Sequence, residues 1–242
     1  MRTVIVTDPP RARIEDSDRL AESGVATVHE ALGRVGLVGP QIRPIQDGAR
    51  IAGTAVTVLS WPGDNLMIHA AIEQCREGDV LVVSTTSESS DGMFGELFAT
   101  ALAQRGVRGL VSTAGVRDVA ELREMGFPVW SKAVNAQGTV KATAGSVNVP
   151  VLVGGVLVHP GDVVIADDDG VMVVPRGDVS RAISAATARE AKEAATRQAF
   201  IDGELGLDRY GLRALLAELG VEYVAAEADP AAETADRGTV RG

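Results

Sequence analysis

The 242-residue sequence contains few aromatic residues, one cysteine and no long apolar run, and each shortage excludes a class of protein. Aromatic residues are 3% of the chain, which argues against a surface that stacks on bases. The single cysteine, Cys75, cannot form an intrachain disulfide and is predicted to be a buried small hydrophobic residue. No apolar run reaches the roughly 18 to 20 residues of a membrane span, and the first residues lack a signal-peptide pattern. These shortages predict a cytoplasmic protein that does not contact membranes.

Positive charge is also scarce. The net charge is -10, which would repel a phosphate backbone over most of the surface, so nucleic acid is not expected as a partner. Lysine occurs only as Lys132, Lys141 and Lys192. Schiff-base chemistry would need one of them desolvated in a pocket, and none lies in an obvious pocket motif.

The order of hydrophobic patterns predicts an α/β protein. Two short helices are expected over 16–36, and strands then alternate with helices between residues 49 and 134, which favours crossover connections. Residues 139–175 carry β-rich runs separated by the turn sequences "HPGD" and "DDDG", which indicate a β-meander. Two helices, over 178–203 and 207–220, complete the predicted single domain of residues 1–225. A mobile tail is predicted over 226–242.

The stretch "GELFATALAQRGVRGLVSTAGVRD" (95–118) has both a structural and a functional interpretation. In the structural one, Asp118 and Glu121 form a capping box and Glu96 favours a helix N-terminus. Arg117 does not fit it, because an arginine between a buried strand and a helix start is expected to be poorly hydrated unless it meets an anion.

The functional interpretation combines three features of the same stretch. A glycine-punctuated loop leads to a helix N-terminus, where backbone N–H groups can hold a carboxylate or phosphate. Arg117 adds a permanent positive charge, and Asp118 offers the single hard oxygen ligand that suits Mg²⁺. Together these features suit an anionic, oxygen-rich substrate.

Gly95-Glu96-Leu97 followed by Arg117-Asp118, with the arginine 21 positions after the acid, resembles the signature of the class II pyruvate aldolases of the RraA-like group. The upstream "GDNLMIHAAIEQCREGDVLVV" and the downstream "GELGLDRYGLRALLAELG" resemble the same group, so the similarity extends over about residues 20 to 225. The resemblance implies an α/β fold with a layered β/β/α, swivelling-domain-like core. It also implies that the C-terminal helices (178–220) contact a neighbouring subunit in a homotrimer or homohexamer.

The activity implied by the resemblance is a lyase reaction that depends on Mg²⁺ or Mn²⁺. Such enzymes cleave 4-hydroxy-4-methyl-2-oxoglutarate or 4-carboxy-4-hydroxy-2-oxoadipate to pyruvate and a second keto acid, in the catabolism of aromatic compounds. They commonly also decarboxylate oxaloacetate, because both reactions pass through the same pyruvate enolate. The scarcity of lysine agrees with a metal-dependent route.

The resemblance also implies residue roles. Asp118 would bind the metal directly, Arg117 would contact the keto-acid oxygens, and Glu96 would lie near metal-bound water, where it could relay the proton of the C4 hydroxyl. The substrate-binding positions are the backbone amides of Gly95, Glu96, Leu97 and Phe98, the side chains of Asn65 and His69 on one helix face, and Glu193 from a neighbouring subunit.

Several alternatives stay open at this point. His69 could be the base instead of Glu96, or only a packed histidine. Thr113 and Ala114 stand where many relatives have Asp-Gly; because position 113 would approach the pocket, substrate preference is expected to differ. The RraA proteins themselves inhibit an RNA-degrading endonuclease, although Glu96 and the C-terminal helices argue against that role. A methyltransferase would need a glycine-rich nucleotide loop after the first strand, and none is present.

Overall fold

The computed structural model describes residues 3–225, which fall into two compact units. Lys192 ends the first unit and Glu193 begins the second. The assignment of residues 1–225 to a single domain and the homo-oligomeric assembly stay predictions. The predicted mobile tail, 226–242, lies outside the described residues.

The elements follow in chain order. The first unit contains α1 (Ile14–Ala31), β1 (Arg43–Pro44), β2 (Ile51–Ser60), α2 (Leu66–Gln74), β3 (Asp79–Thr85), β4 (Gly92–Phe94), α3 (Glu96–Ala103), β5 (Gly109–Val116), α4 (Val119–Glu124), β6 (Val129–Val134), β7 (Ser146–Val147), β8 (Val151–Val153), β9 (Val156–Val158), β10 (Val163–Asp167) and β11 (Gly170–Val174). A 3-10 turn, Arg176–Asp178, leads into α5 (Val179–Ile201), and α5 continues into the second unit, which also contains α6 (Gly206–Arg209) and α7 (Leu212–Glu218).

Nine strands of the first unit form one mixed sheet. Seven of them follow the order β1-β6-β5-β3-β2-β10-β11, while β4 pairs with β5 and β7 pairs with β2. The four central strands, β2, β3, β5 and β6, are parallel, as the crossover pattern predicts, and the β10–β11 hairpin adds antiparallel to β2. The edge strand β1 lies close to β11 at the other end of this order, so the sheet is nearly closed. The parallel register aligns Val56, Leu81, Leu110 and Val129 across the four central strands.

Aliphatic side chains fill both faces of this sheet, as the shortage of aromatic residues predicts. On the outer face, Leu81 and Leu110 belong to a buried cluster with Ile68 of α2 and Leu102 of α3. On the inner face, the valines of β3 and β5 meet those of β8 to β11, and the buried indole of Trp130 donates to the carbonyl oxygen of Asp167 at 2.8 Å. The helices on the outer face therefore place their N-termini near the carboxyl ends of the parallel strands.

The structure confirms two local predictions, one about a helix and one about a turn. The stretch predicted as two short helices is α1 with a break at Gly24, where φ is +78°, and Asp167 accepts the N–H of Val25 after the break. The "DDDG" sequence forms the hairpin turn between β10 and β11. Asp167 therefore serves both the turn and the restart of the helix.

Two other sequence predictions are wrong. Residues 139–175 do not form one continuous meander, because β8 and β9 make a separate two-stranded sheet and β7 pairs with β2. The helix predicted over 207–220 is divided into α6 and α7 at Gly211, whose φ of +65° is left-handed. Among residues 3–225, no helix combines the length and the apolar character that crossing a membrane requires.

Candidate functional site

A cleft of about 280 Å³ lies between α2, α3 and the end of β5, entirely within the first unit. Its lining brings together distant parts of the chain: Asn65, His69 and Ile72 from α2 and its N-terminus, Gly95, Leu97, Phe98 and Ala101 from α3 and its N-terminus, Arg117 and Asp118 after β5, and Lys141 from an irregular segment. Seven of these residues were predicted from the sequence: Asn65, His69, Gly95, Leu97, Phe98, Arg117 and Asp118.

The backbone after β5 places Arg117 and Asp118 at this cleft. The N–H of Arg117 donates to the carbonyl oxygen of Phe94 at 2.9 Å, so the end of β5 stays beside the end of β4. Asp118 then adopts a left-handed conformation (φ +56°, ψ +42°) that turns the chain into α4. This conformation is uncommon for a residue other than glycine, although aspartate tolerates it better than most. The two charged side chains lie at the carboxyl edge of the parallel strands, the usual ligand-binding edge of such a sheet.

The carboxylate of Asp118 contacts the start of α3, not the start of α4. Its Oδ2 accepts the N–H of Glu96 at 3.1 Å, and no side-chain hydrogen bond caps α4, so the predicted capping box with Glu121 is wrong. The approach requires glycine at 95, because a Cβ there would collide with Oδ2 of Asp118. The sequence Gly95-Glu96 and the pair Arg117-Asp118 are therefore two halves of one structural contact.

Arg117 is more hydrated than the sequence predicts. Its side chain is 43% exposed, and that of Asp118 is 40% exposed, since the strand ends at the mouth of the cleft and not in the core. The Nε of Arg117 lies 3.7 Å from Oδ2 of Asp118. An ion pair that is so exposed to solvent contributes little to the stability of the fold. Both charged groups therefore remain available to a ligand.

Asn65 and His69 lie one helical turn apart and line the same wall, as predicted. Asn65 is buried, and its Nδ2 donates to the carbonyl oxygen of Met93 at 3.3 Å, while its Oδ1 has no hydrogen-bond partner among the described residues. The ring of His69 packs 4.5 Å from that of Phe98. Partial burial of the ring, and then the charge of Lys141, lower the pKa of His69 below its usual 6.5, which favours the neutral form at neutral pH.

Glu96 does not line the cleft. It occupies the first turn of α3, as predicted, but its Oε1 accepts the hydroxyl of Thr100 at 2.7 Å along the helix. The amides proposed as an anion site are also partly engaged, because the N–H of Glu96 donates to Asp118 and that of Phe98 to the carbonyl oxygen of Gly95. Of the three amides from Glu96 to Phe98, only that of Leu97 has no partner among the described residues.

Lys141 is a charged residue of the cleft that sequence reasoning missed. No sequence motif placed a lysine in a pocket, yet Lys141 lines the same cleft as Arg117 and Asp118. It lies in a segment without helix or strand, where no periodic pattern indicates which way a side chain points. Its exposure also means that it lacks the desolvation a Schiff-base lysine needs.

The expectation that Thr113 approaches the substrate pocket is wrong. Thr113 lines a different cleft, of about 260 Å³, beside Lys132 and the β8–β9 turn, and its Oγ1 accepts the N–H of Thr85 at 3.2 Å. Ala114 is fully buried in the outer-face cluster. Because consecutive side chains of a strand point to opposite faces of the sheet, Thr113 lies on the face opposite to Ala114 and to the outer-face cluster.

The structure also places Cys75 and Glu193, the other residues considered in the sequence analysis. Cys75 is buried, and burial raises the pKa of its thiol to about 12, as expected for a small hydrophobic residue. Glu193 lies on α5 in the second unit, so its role at the site of a neighbouring subunit stays a prediction. Among the described residues, no group of three His, Cys, Asp or Glu side chains could hold a metal ion.

A family model and two named relatives match this chain. The family model described as RraA-like (Aldolase/RraA) matches residues 25–173. A protein of Burkholderia multivorans, provisionally named as a 4-hydroxy-4-methyl-2-oxoglutarate aldolase, is 36% identical over 63% of this chain and 94% of its own length. A protein of Halalkalibacterium halodurans with the same provisional name is 28% identical over 70% of this chain and 80% of its own.

The fold is also similar to a solved structure. RraAS2 of Streptomyces coelicolor, described as an unusual member of the RNase ES inhibitor RraA protein family, superimposes with a TM-score of 0.70 at 28% identity. The match covers 78% of this chain and 99% of RraAS2. It therefore extends over nearly all of that smaller protein.

Proposed function

Because the chain belongs to the RraA-like family, we propose that it is a divalent-metal-dependent pyruvate aldolase. It cleaves 4-hydroxy-2-oxo acids, such as 4-hydroxy-4-methyl-2-oxoglutarate or 4-carboxy-4-hydroxy-2-oxoadipate, to pyruvate and a second keto acid, and it decarboxylates oxaloacetate. The observation that supports this most is the cleft whose lining combines one carboxylate, Asp118, with two cations, Arg117 and Lys141. The relatives named as aldolases favour the same class of reaction.

The side chains at the cleft fit a hydrated Mg²⁺ or Mn²⁺ ion. Asp118 is half-exposed, and only its Oδ2 is hydrogen-bonded among the described residues, so Oδ1 can bind a cation. Mg²⁺ commonly binds proteins through one or two carboxylates and keeps several waters, which agrees with the lack of a three-ligand cluster. When bound, the ion would supply Lewis-acid stabilisation of the negative charge that develops on the C2 oxygen.

The chain's own residues bind and orient the substrate. The guanidinium of Arg117 can pair with the keto-acid oxygens in two parallel hydrogen bonds, and its charge stabilises the enolate left by cleavage of the C3–C4 bond. The ammonium of Lys141 binds a carboxylate of the same substrate. The rings of His69 and Phe98, with Leu97 and Ile72, form the apolar wall of the cleft.

Cleavage also requires that the C4 hydroxyl lose its proton. The lining favours His69 as the acceptor, since its neutral ring faces the cleft, while the carboxylate of Glu96 is hydrogen-bonded to Thr100. Glu96 remains the alternative that the family resemblance implies. The two assignments predict different effects of substitutions at His69 and Glu96 on the pH profile.

If His69 accepts the proton, kcat/KM falls as the pH falls through its lowered pKa, so the acidic limb lies below pH 6.5. We expect His69→Asn to lower kcat by about tenfold to a hundredfold and to remove that limb, while Glu96→Gln keeps it. Initial rates between pH 4.5 and 8 for the three proteins measure this. An unchanged limb in His69→Asn, or its loss in Glu96→Gln, would assign the proton to Glu96.

The similarity to RraAS2 favours a second candidate function, a protein-binding regulator without catalysis. Pyruvate release from oxaloacetate and from 4-hydroxy-4-methyl-2-oxoglutarate separates the two. We expect turnover with Mg²⁺ or Mn²⁺, loss of turnover in EDTA, and recovery when metal is restored. Reactions without protein correct for decarboxylation by the metal alone. Absence of protein-dependent pyruvate release would favour the regulator, and turnover that persists in EDTA would exclude the metal.

A further inference from the structure

Asp64 lies at the N-terminus of α2, directly before the cleft residue Asn65, and is only 2% exposed. Its Oδ1 accepts the backbone N–H of Leu66, in the first turn of α2, at 2.9 Å. Its Oδ2 accepts the backbone N–H groups of Ala142 at 2.9 Å and Thr143 at 2.6 Å. One buried carboxylate therefore joins the start of a cleft helix to a segment 78 residues further along the chain.

That segment, residues 135–144, is fixed mainly by hydrogen bonds. Near its start, the N–H of Asn135 donates to the carbonyl oxygen of Val116 at 2.9 Å, and the carbonyl oxygen of Gln137 accepts the N–H of Gly92 at 2.9 Å. The segment contains no helix or strand beyond a single bridge at Val140, and none of its residues is buried. At the bridge, the N–H of Val140 donates to the carbonyl oxygen of Gly63 at 2.9 Å, and the N–H of Asn65 donates to that of Val140 at 3.0 Å. Trp61 adds one hydrogen bond, from its Nε1 to the carbonyl oxygen of Ala144 at 3.1 Å. Since apolar packing is slight, hydrogen bonds determine where the segment lies.

The 135–144 segment lies beside both cations of the cleft. Lys141 is flanked by Val140 and Ala142, so the backbone on each of its sides is held by the contacts at the start of α2. Further back, a Cβ on Gly138 would lie 3.7 Å from Nη1 of Arg117. The position of the Lys141 ammonium therefore depends on the segment, and Asp64 accepts the two hydrogen bonds that fix the segment directly after Lys141.

We propose that Asp64 is a positioning residue, whose buried carboxylate holds the 135–144 segment against α2 and so places Lys141 where it binds the substrate's carboxylate. The consequence for substrate binding rests on the proposed function. The hydrogen bonding of the 135–144 segment by Asp64 does not depend on it. Burial alone would raise the pKa of Asp64, but the backbone hydrogen bonds from Leu66, Ala142 and Thr143 outweigh it, and the pKa is lowered. Asp64 is therefore a charged acceptor at neutral pH.

The most selective variant is Asp64→Ser, because serine can still cap α2 at Leu66 but is too short to reach the N–H groups of Ala142 and Thr143. We expect KM for the keto acid to rise about tenfold while kcat changes by less than about threefold, the pattern of lost binding. Asp64→Asn, which keeps the size of the side chain, is expected to behave similarly. Lys141→Ala should raise KM by about the same factor, and Asp64→Ser should add little to it in the double variant, because the two residues act as one unit.

Asp162→Asn is the matched control. Asp162 is also a buried aspartate that accepts two backbone N–H groups, those of His159 and Arg176, but it does not line the cleft. We expect this variant to lower the midpoint of thermal unfolding about as much as Asp64→Asn and to leave KM unchanged. A merely structural role for Asp64 would give the two variants the same kinetics.

Hydrogen–deuterium exchange of the full chain tests the hold on the segment without any assay of activity. We expect Asp64→Ser to accelerate exchange at Ala142 and Thr143 at least about tenfold, with little change in β3 or β5. Unchanged exchange at Ala142 and Thr143 would overturn the inference. It would also be overturned if the increases in KM of Asp64→Ser and Lys141→Ala multiplied in the double variant. Neither result would contradict the proposed aldolase activity. Absence of turnover in the wild type would instead overturn the proposed function, and exchange alone would then decide the role of Asp64.

Discussion

Replacement of Asp118 by asparagine is expected to lower kcat/KM for metal-dependent pyruvate release by about a thousandfold or more, because the proposed cation ligand, the only carboxylate that lines the cleft among residues 3–225, is lost. Asparagine is the better choice than alanine, since it tolerates the left-handed backbone at position 118 and Asp118→Ala would add strain. Asp118→Ala should nevertheless be inactive and folded. Steady-state kinetics at saturating Mg²⁺ and a thermal unfolding curve measure the two effects separately.

Arg117 is expected to show a comparable loss. Arg117→Ala removes the charge beside the developing enolate and should lower kcat about a hundredfold to a thousandfold, while Arg117→Lys, which keeps the charge but not the planar fork, should recover part of it. Glu121→Ala is the matched control, since Glu121 is an exposed acid on α4 that does not line the cleft. An Asp118→Asn protein within about tenfold of wild-type activity would contradict the role of Asp118 in binding metal.

The second large effect concerns stability. Asp79 begins β3 with its side chain 1% exposed, and Arg11 contacts both of its carboxylate oxygens, through Nε at 2.9 Å and Nη2 at 2.9 Å. Arg11→Met would leave the buried carboxylate without its cation, supported only by the N–H of Arg76 among the described residues. We expect the free energy of unfolding to fall by about 3–5 kcal/mol, the cost of breaking a buried ion pair on one side.

Chemical denaturation of the full chain measures this change. Arg13→Met is the matched control, since Arg13 pairs with Asp16 at an exposed site and should cost less than about 1 kcal/mol. The double variant Arg11→Met/Asp79→Asn should recover part of the loss, because the unpaired charge is gone. A single Arg11→Met variant as stable as Arg13→Met would show that Asp79 is stabilised without its arginine.

Much of the fold could be predicted because its signals are local. Apolar runs and β-branched residues identify the parallel strands, and Gly24, Gly211 and the "DDDG" turn act within a few residues of their own position. A division of the 16–36 stretch into two helices was predicted, and the break at Gly211 was not, because the apolar spacing of "LDRYGLRALLAELG" continues through it. Local pattern is therefore a good guide to the order of elements and a weaker one to their ends.

The sequence by itself determined which residues follow strands and begin helices, and so it identified Gly95, Arg117 and Asp118, while its resemblance to a known family added Asn65 and His69. Only the tertiary structure decided that Lys141 lines the cleft, that Glu96 and Thr113 do not, and that Asp64 joins two walls of it. The physical reason is distance along the chain. Helix and strand periodicity report contacts between near neighbours, whereas the pairing of Asp64 with residues 142 and 143 depends on how β2, β7 and the intervening sheet bring distant segments together.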